Sequence, residues 1–161
     1  MILLSDANVL IDLGYVTGFQ VLTQLGEVEV LDVVLEECRH SRHSTLVDDI
    51  CRAGIQVVTV PREWPALARP YQTRALSFQD GLCLYYAKTF QRSLLTNEKP
   101  LRQCCQQQQV LVHGTLWIVR SAYEQGLASS ASLCAWLTIL AEQNQRLPQK
   151  EVAALRRLMG G

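Results

Sequence analysis

The sequence has no segment long enough to cross a membrane, since no apolar run approaches the ~20 residues that span a bilayer. Residues 1–13 carry two aspartates and lack the basic region with which a secretory signal peptide begins. We therefore expect a cytoplasmic protein that does not associate with membranes.

Cysteine pairs with the spacing of a zinc or redox site are also missing. The sequence has six cysteines, but no two are arranged as C-x-x-C. Most of them lie among apolar neighbours, where a reduced thiol behaves as a small hydrophobic group. Neither a zinc ribbon nor a redox motif is indicated.

An excess of basic charge is absent as well, because 15 basic residues balance 15 acidic ones. A protein that grips nucleic acid over a large part of its surface relies on a basic patch, and a net charge of zero argues against that mode of binding. Twelve of the 15 basic residues are arginines, whose planar guanidinium suits phosphate or carboxylate. A local basic rim around an acidic site is compatible with this composition.

Short apolar runs alternate with stretches of helical periodicity, which predicts an α/β fold. The runs lie at residues 2–5, 55–60, 93–96 and 110–112, with a weaker fifth at 27–31. Strands that alternate with helices indicate βαβ units. We therefore expect a mostly parallel sheet of four or five strands, covered by helices on both faces.

Carboxylate side chains follow several of these strands or begin the helices after them. They are Asp6, Glu36, Glu37, Asp80 and Glu98. Because the carboxyl ends of parallel strands meet at one edge of a sheet, acids far apart in sequence can meet there. Carboxylates held together repel one another unless a cation neutralises them, and hard oxygen ligands favour Mg²⁺ or Mn²⁺. Such an ion activates water and stabilises charge on a phosphate, so the pattern indicates phosphodiester hydrolysis.

Each of these acids also has an ordinary structural interpretation. Asp6 is placed to cap the helix that follows it, and Ser77-x-x-Asp80 matches the capping-box pattern. Of Glu36 and Glu37, at least one is expected to be a solvated helix residue. Spacing alone leaves these alternatives open.

The segments around the acids resemble, in order and spacing, the motifs of PIN-domain ribonucleases. They are ILLSDANVLIDL at 2–13, VVLEEC at 33–38, LSFQD at 76–80, LLTNEKPLR at 94–102 and VHGTL at 112–116. The resemblance implies a three-layer α/β/α sandwich. It also implies Mg²⁺- or Mn²⁺-dependent cleavage of RNA, by a small protein of the kind that acts as the toxin of a toxin–antitoxin pair.

The resemblance also implies roles for individual residues. Metal ligands, directly or through water, would be Asp6, Glu37, Asp80 and Glu98. Asn8 would order the surroundings of the first ligand, and Thr96 would position the fourth segment. Glu98 departs from the family's usual aspartate, and a ~1 Å displacement of a catalytic group can cost ~10²-fold in rate.

Residues 1–127 carry the resemblance, and we expect them to form a PIN-like nuclease domain. Residues 128–161 are predicted to form a C-terminal helical extension packed on the same domain. Its helices have apolar faces, one with Leu133 and Leu137 and another with Val152 and Leu155. These faces pack on the domain or contact a second copy of the chain or an antitoxin, and the sequence leaves both open.

Further side chains are candidates for contact with RNA. Arg74, Arg92 and Arg102 lie near the acidic segments in sequence, and phosphate contact is a hypothesis for each of them. Trp64 and Tyr71 lie in a proline-rich loop or broken helix, where they would stack on bases or anchor the loop.

Other classes of protein with an acidic residue after the first strand fit less well. A haloacid-dehalogenase-type phosphatase needs a second aspartate two positions on, where this sequence has Asn8. A response-regulator receiver needs a paired acid after the first strand, which is missing. The remaining alternative is a PIN-like module that binds RNA or protein with little catalysis, which Glu98 and the zero net charge favour.

Overall fold

Five short strands form one sheet in the computed structural model, which describes residues 1–143 and 147–160. The strands are β1 Ile2–Ser5, β2 Glu27–Leu31, β3 Gln56–Val58, β4 Ser93–Leu95 and β5 Val112–His113. Their order is β3-β2-β1-β4-β5, and every neighbouring pair is parallel. The prediction of a four- or five-stranded, mostly parallel sheet is confirmed.

Helices cover both faces of this sheet. The α-helices in the described part of the chain are α1 Ala7–Val16, α2 Phe19–Leu25, α3 Asp32–Arg39, α4 Leu46–Arg52, α5 Trp64–Ala68, α6 Phe78–Phe90, α7 Lys99–Gln107, α8 Thr115–Glu124, α9 Ser130–Gln143 and α10 Gln149–Leu158. On one face α1 packs on α3, α4, α8 and α9, whereas α6 packs on α5 and α7. The three-layer α/β/α sandwich is thus confirmed.

The chain leaves the two central strands in opposite directions, which creates a crevice at their carboxyl ends. From β1 it crosses to β2 on one side, and from β4 it crosses to β5 on the other. At such a reversal of strand order, α/β proteins bind their ligands. The ends of β1 and β4 are joined by the amide of Asp6, which donates a hydrogen bond of 3.0 Å to the carbonyl of Leu95.

The last two helices pack on the helices of the sheet domain. Helix α9 contacts α1 and α8, and its Leu133, Leu137 and Leu140 are fully buried. Helix α10 contacts α8 and buries Val152. Residues 144–146 and 161 of the predicted extension lie outside the described residues. No helix in the described part of the chain is both long and apolar enough to span a membrane.

Candidate active site

Four acids lie near one another at the carboxyl edge of the sheet, and the charges of two of them affect the ionisation of their neighbours. The negative charge of Asp80 raises the pKa of both Asp6 and Glu37, and that of Glu98 raises the pKa of Asp6 and Asp80. These are the four acids that the sequence places at a metal site. The fold brings them together from the end of β1, the end of β4 and the helices α3 and α6.

Asp6 is the most buried of the four acids, with 4% of its surface exposed. One carboxylate oxygen caps α1 by accepting the Val9 amide hydrogen bond at 2.9 Å, so the capping role inferred from sequence is real. Burial raises its pKa from 3.8 to about 7, and the charges of Asp80 and Glu98 act in the same direction. Hydrogen bonds from the Thr96 side chain and the Val9 amide lower it.

Asp80 combines a helix cap with a place in the acidic cluster. Its amide donates to the Ser77 hydroxyl at 3.0 Å, and the Ser77 backbone amide donates to the Asp80 carboxylate, which completes the capping box. Burial, followed by the charge of Glu98, raises the pKa of the Asp80 carboxyl. The structural and functional interpretations of this residue are therefore compatible.

The two glutamates of α3 have different surroundings. Glu36 forms an exposed ion pair with Arg39 at 3.0 Å, one turn along the same helix. Glu37 is exposed as well, but the protein around its carboxyl and the charge of Asp80 raise its pKa. Glu37 is thus the acid of this pair that belongs to the cluster.

Glu98 is held by the two residues predicted to support the site. Its amide donates to the Thr96 hydroxyl at 3.0 Å, and Asn8 donates from its side-chain nitrogen to the Glu98 carboxylate at 2.6 Å. The hydroxyl of Thr96, fully buried, also bonds Asp6 and so links the first and fourth acids. Asn8 orders the fourth acid rather than the first, which differs from the role that the sequence suggests.

The comparisons with known proteins agree with this architecture. A family model described as a PIN domain matches residues 2–161. The chain belongs to the PIN-domain family. The matched region runs through α9 and α10 as well as the sheet, whereas the sequence resemblance extends to residue 127. No curated protein matches the chain significantly.

The PIN domain contains a second, buried polar network that the sequence analysis missed. The Asn97 side-chain nitrogen donates to the Asp12 carboxylate at 3.1 Å and to the Thr115 hydroxyl at 2.8 Å. That hydroxyl donates to Asp12 at 2.9 Å, and the Thr115 amide donates to the Asn97 side-chain oxygen at 2.9 Å. The network ties the turn that carries Glu98 to α1 and α8. Asp12, an aspartate between Ile11 and Leu13 in the mostly apolar sequence of α1, is the signal of it.

Thr115→Val is expected to lower the free energy of unfolding by about 1–3 kcal/mol, because Asp12 and Asn97 lose a buried hydrogen-bond partner. Thr115 is fully buried and valine has nearly its shape, so the change isolates the hydroxyl group. Urea unfolding measures the effect. Thr89→Val, at an exposed position on α6, is the matched control. Equal effects of the two substitutions would contradict the role of the network.

The three candidate arginines occupy different places. Arg102 lies at the acidic edge and donates to the Thr96 carbonyl at 3.0 Å. Arg92 comes just before β4 and forms an ion pair with Glu29 at 2.8 Å. It therefore lies at the amino end of β4, whereas Glu98 lies beyond the carboxyl end. Arg74 is exposed in the loop before α6. The structure thus brings Arg102, but not Arg92, to the acids.

Trp64 lies in an aromatic cluster that anchors the proline-rich segment. Its ring stacks on Tyr86 at a centroid distance of 5.1 Å and also packs on Tyr85 and Phe90. Tyr71 packs on Tyr85 at 6.2 Å. Of the two sequence-based alternatives for Trp64, the structure supports anchoring, since only 8% of its surface is exposed.

The donor groups of the acidic cluster fit a hard divalent cation by their chemistry. They are carboxylate oxygens whose repulsion a cation would relieve. Hard divalent ions prefer these oxygens to nearby thiols, and burial together with the adjacent acids raises the pKa of Cys38 to about 12 and that of Cys83 well above its usual value. Within residues 1–143 and 147–160, however, no three acidic, histidine or cysteine side chains form a ready-made ligand group.

Proposed function

We propose that this PIN domain is a metal-dependent ribonuclease that hydrolyses RNA phosphodiester bonds with Mg²⁺ or Mn²⁺. PIN domains are generally nucleases and typically use divalent metals. The observation that supports the proposal most directly is the grouping of Asp6, Glu37, Asp80 and Glu98 at a ligand-binding edge of the sheet, where the charges of Asp80 and Glu98 help to raise the pKa values of neighbouring acids.

The residues of the site would either bind the metal ion or position the residues that bind it. Asp6, Asp80, Glu37 and Glu98 would supply oxygen ligands. Thr96, Asn8 and the cap on α1 restrict the movement of Asp6 and Glu98, which favours catalysis because reactive groups need accurate placement. A divalent ion, when bound, supplies an activated water and neutralises charge on the scissile phosphate.

A cleavage assay on single-stranded RNA tests this proposal. We expect end-labelled RNA to be cut at internal positions in Mg²⁺ or Mn²⁺ and to stay intact in EDTA. Matched titrations of the two ions would show which one is preferred. Intact RNA at saturating protein in either ion would overturn the proposal.

The second candidate function is a PIN-like module that binds RNA or protein with little catalysis. Two observations favour it: glutamate stands at position 98 instead of the family's usual aspartate, and the described acids form no ready-made ligand group. Binding of RNA or a protein partner that does not depend on metal, without cleavage, would select this alternative.

The PIN domain supports a role as the toxin of a toxin–antitoxin pair, which the family resemblance implies. An antitoxin would inhibit the enzyme by inserting a cationic side chain among the four acids, in place of the metal. Contact with an antitoxin or a second copy through the C-terminal helices belongs to the same proposal. A small neighbouring gene for a DNA-binding protein would support the toxin role, and its absence would argue against it.

A further inference from the structure

A cavity of about 370 Å³ lies beside the acidic cluster, at the carboxyl end of β5. Among the described residues that line it are Arg102, His113, Trp117, Leu147, Pro148 and Glu151. Strand β5 neighbours β4, which leads to Glu98, and Asn97 also lines the cavity, so the cavity lies at the same edge of the sheet as the acids. Its volume is within the range of about 300–1,000 Å³ that is usual for ligand pockets.

Two aromatic rings that stack on each other line this cavity, and such a pair has outer ring faces on which a further planar group can stack. The rings of His113 and Trp117 are nearly parallel, at an angle of 10°, and their centroids are 4.0 Å apart. Both side chains are half-buried, so each is held by packing while part of it faces the cavity. Nucleobases stack on such surfaces whatever their sequence, because every base has a π-face.

The end of β5 fixes the position of these rings. The Thr96 amide donates to the His113 carbonyl at 2.9 Å, which connects the aromatic pair to the residue that bonds Asp6 and Glu98. A side chain at Gly114 would clash, since a Cβ there would lie 2.5 Å from the side-chain oxygen of Asn97. Burial and the adjacent Arg102 lower the pKa of His113, so its ring is neutral at pH 7 and offers one donor and one acceptor.

The cavity also presents donors and acceptors of the kind found on nucleobase edges. Arg102 supplies N–H donors, and its bond to the Thr96 carbonyl holds the guanidinium between the acids and the cavity. Glu151, exposed at the start of α10, supplies carboxylate acceptors that suit the amino groups of bases. Apolar walls from Leu116 and Leu147 separate these polar groups.

We propose that this cavity binds an unpaired base of single-stranded RNA, stacked on the His113–Trp117 pair, next to the phosphate at the acidic cluster. The proposal rests on the proposed ribonuclease function and adds to it a base-binding site formed by His113 and Trp117. Proteins recognise single-stranded RNA by splaying out bases and stacking them on aromatic side chains. Helix α10 would thereby complete the substrate site.

Tryptophan fluorescence locates the binding of a base. Short single-stranded RNA is titrated into the full chain in EDTA and, in parallel, in Ca²⁺, with an abasic RNA of equal charge and length as the comparison. We expect the ordinary RNA to quench the emission of Trp117 and the abasic RNA to bind roughly 5- to 100-fold more weakly, the loss that removal of one stacking partner usually causes. His113→Ala should weaken the binding of ordinary RNA over the same range.

Matched variants assign the fluorescence signal to one residue. Trp117→Phe should remove the quench. Trp136→Phe should retain it, because Trp136 is a half-buried residue of α9 that packs beside Gly18, away from the cavity lining. If His113→Ala fails to fold, the tryptophan variants and the abasic RNA still test whether a base binds at Trp117. The proposal is overturned by equal binding of the two RNAs, by a quench that survives Trp117→Phe, or by absence of binding in both buffers.

A separate cleavage assay keeps this proposal distinct from the ribonuclease proposal. A base-dependent quench without cleavage in Mg²⁺ or Mn²⁺ would support the base-binding site and reject the enzyme. Cleavage without base dependence would support the enzyme and reject the base-binding site.

Discussion

Asp6→Asn is expected to reduce metal-dependent RNA cleavage by at least about 100-fold, the upper end of the loss for residues that merely orient a metal ligand. Asparagine keeps a side-chain oxygen that can accept the Val9 amide hydrogen bond, and it is a favourable helix cap. It removes the charge that would bind the ion. The loss should therefore occur without unfolding, and initial rates together with far-UV circular dichroism would show both.

Asp48→Asn is the matched control for this variant. Asp48 is exposed in the first turn of α4, so its replacement should leave the cleavage rate unchanged. If Asp6→Asn cleaves RNA as fast as the wild type in Mg²⁺ or Mn²⁺, the assignment of Asp6 as a metal ligand is wrong.

The sheet could be predicted because buried parallel strands produce short, continuous apolar runs. Leu3 and Leu4 of β1 and Leu94 and Leu95 of β4 are fully buried, and each run is followed directly by polar residues. That pattern marks the point where a strand ends, and it therefore predicts that Asp6 and Glu98 follow β1 and β4 at the carboxyl edge of the sheet. Choosing Glu37 over Glu36 depended on the family resemblance, since the two are adjacent and identical.

Contacts between distant segments could not be predicted, because they depend on the order of strands in the sheet. Asn8 and Glu98 are 90 positions apart, and only the pairing of β1 with β4 brings them together. The stack of His113 on Trp117 crosses a boundary between strand and helix, where the sequence around Gly114 indicates only a turn.

Arg92 shows how nearness in sequence can mislead. It lies six positions before Glu98, yet the intervening strand β4 separates the two ends of the sheet by about 3.3 Å per residue. Its ion pair with Glu29 and its position over the Tyr86 ring, 5.2 Å from the centroid, give it a structural role at the other edge.

The burial of Asp6, together with the charges of Asp80 and Glu98 beside it, predicts that the metal-free protein loses stability as the pH rises. Asp6 has a pKa of about 7 in the folded protein and an ordinary value of 3.8 when exposed. Between these values the folded state binds more protons than the unfolded state, so the free energy of unfolding falls with increasing pH. The pKa values of Glu37 and Asp80 are raised as well and act in the same direction.

For Asp6 alone, the loss of stability between pH 4 and pH 8 is expected to reach about 4 kcal/mol. Urea unfolding in EDTA measures it, and Asp6→Asn should flatten the profile because the side chain no longer ionises. A divalent ion would offset the repulsion, so Mg²⁺ or Mn²⁺ should stabilise the wild type more at pH 8 than at pH 5. The same ions should stabilise the Asp6→Asn variant much less than the wild type. A wild-type profile in EDTA that is flat or rises over this range would contradict the burial of an ionisable Asp6 beside other acids, and with it one reason for a metal to bind there.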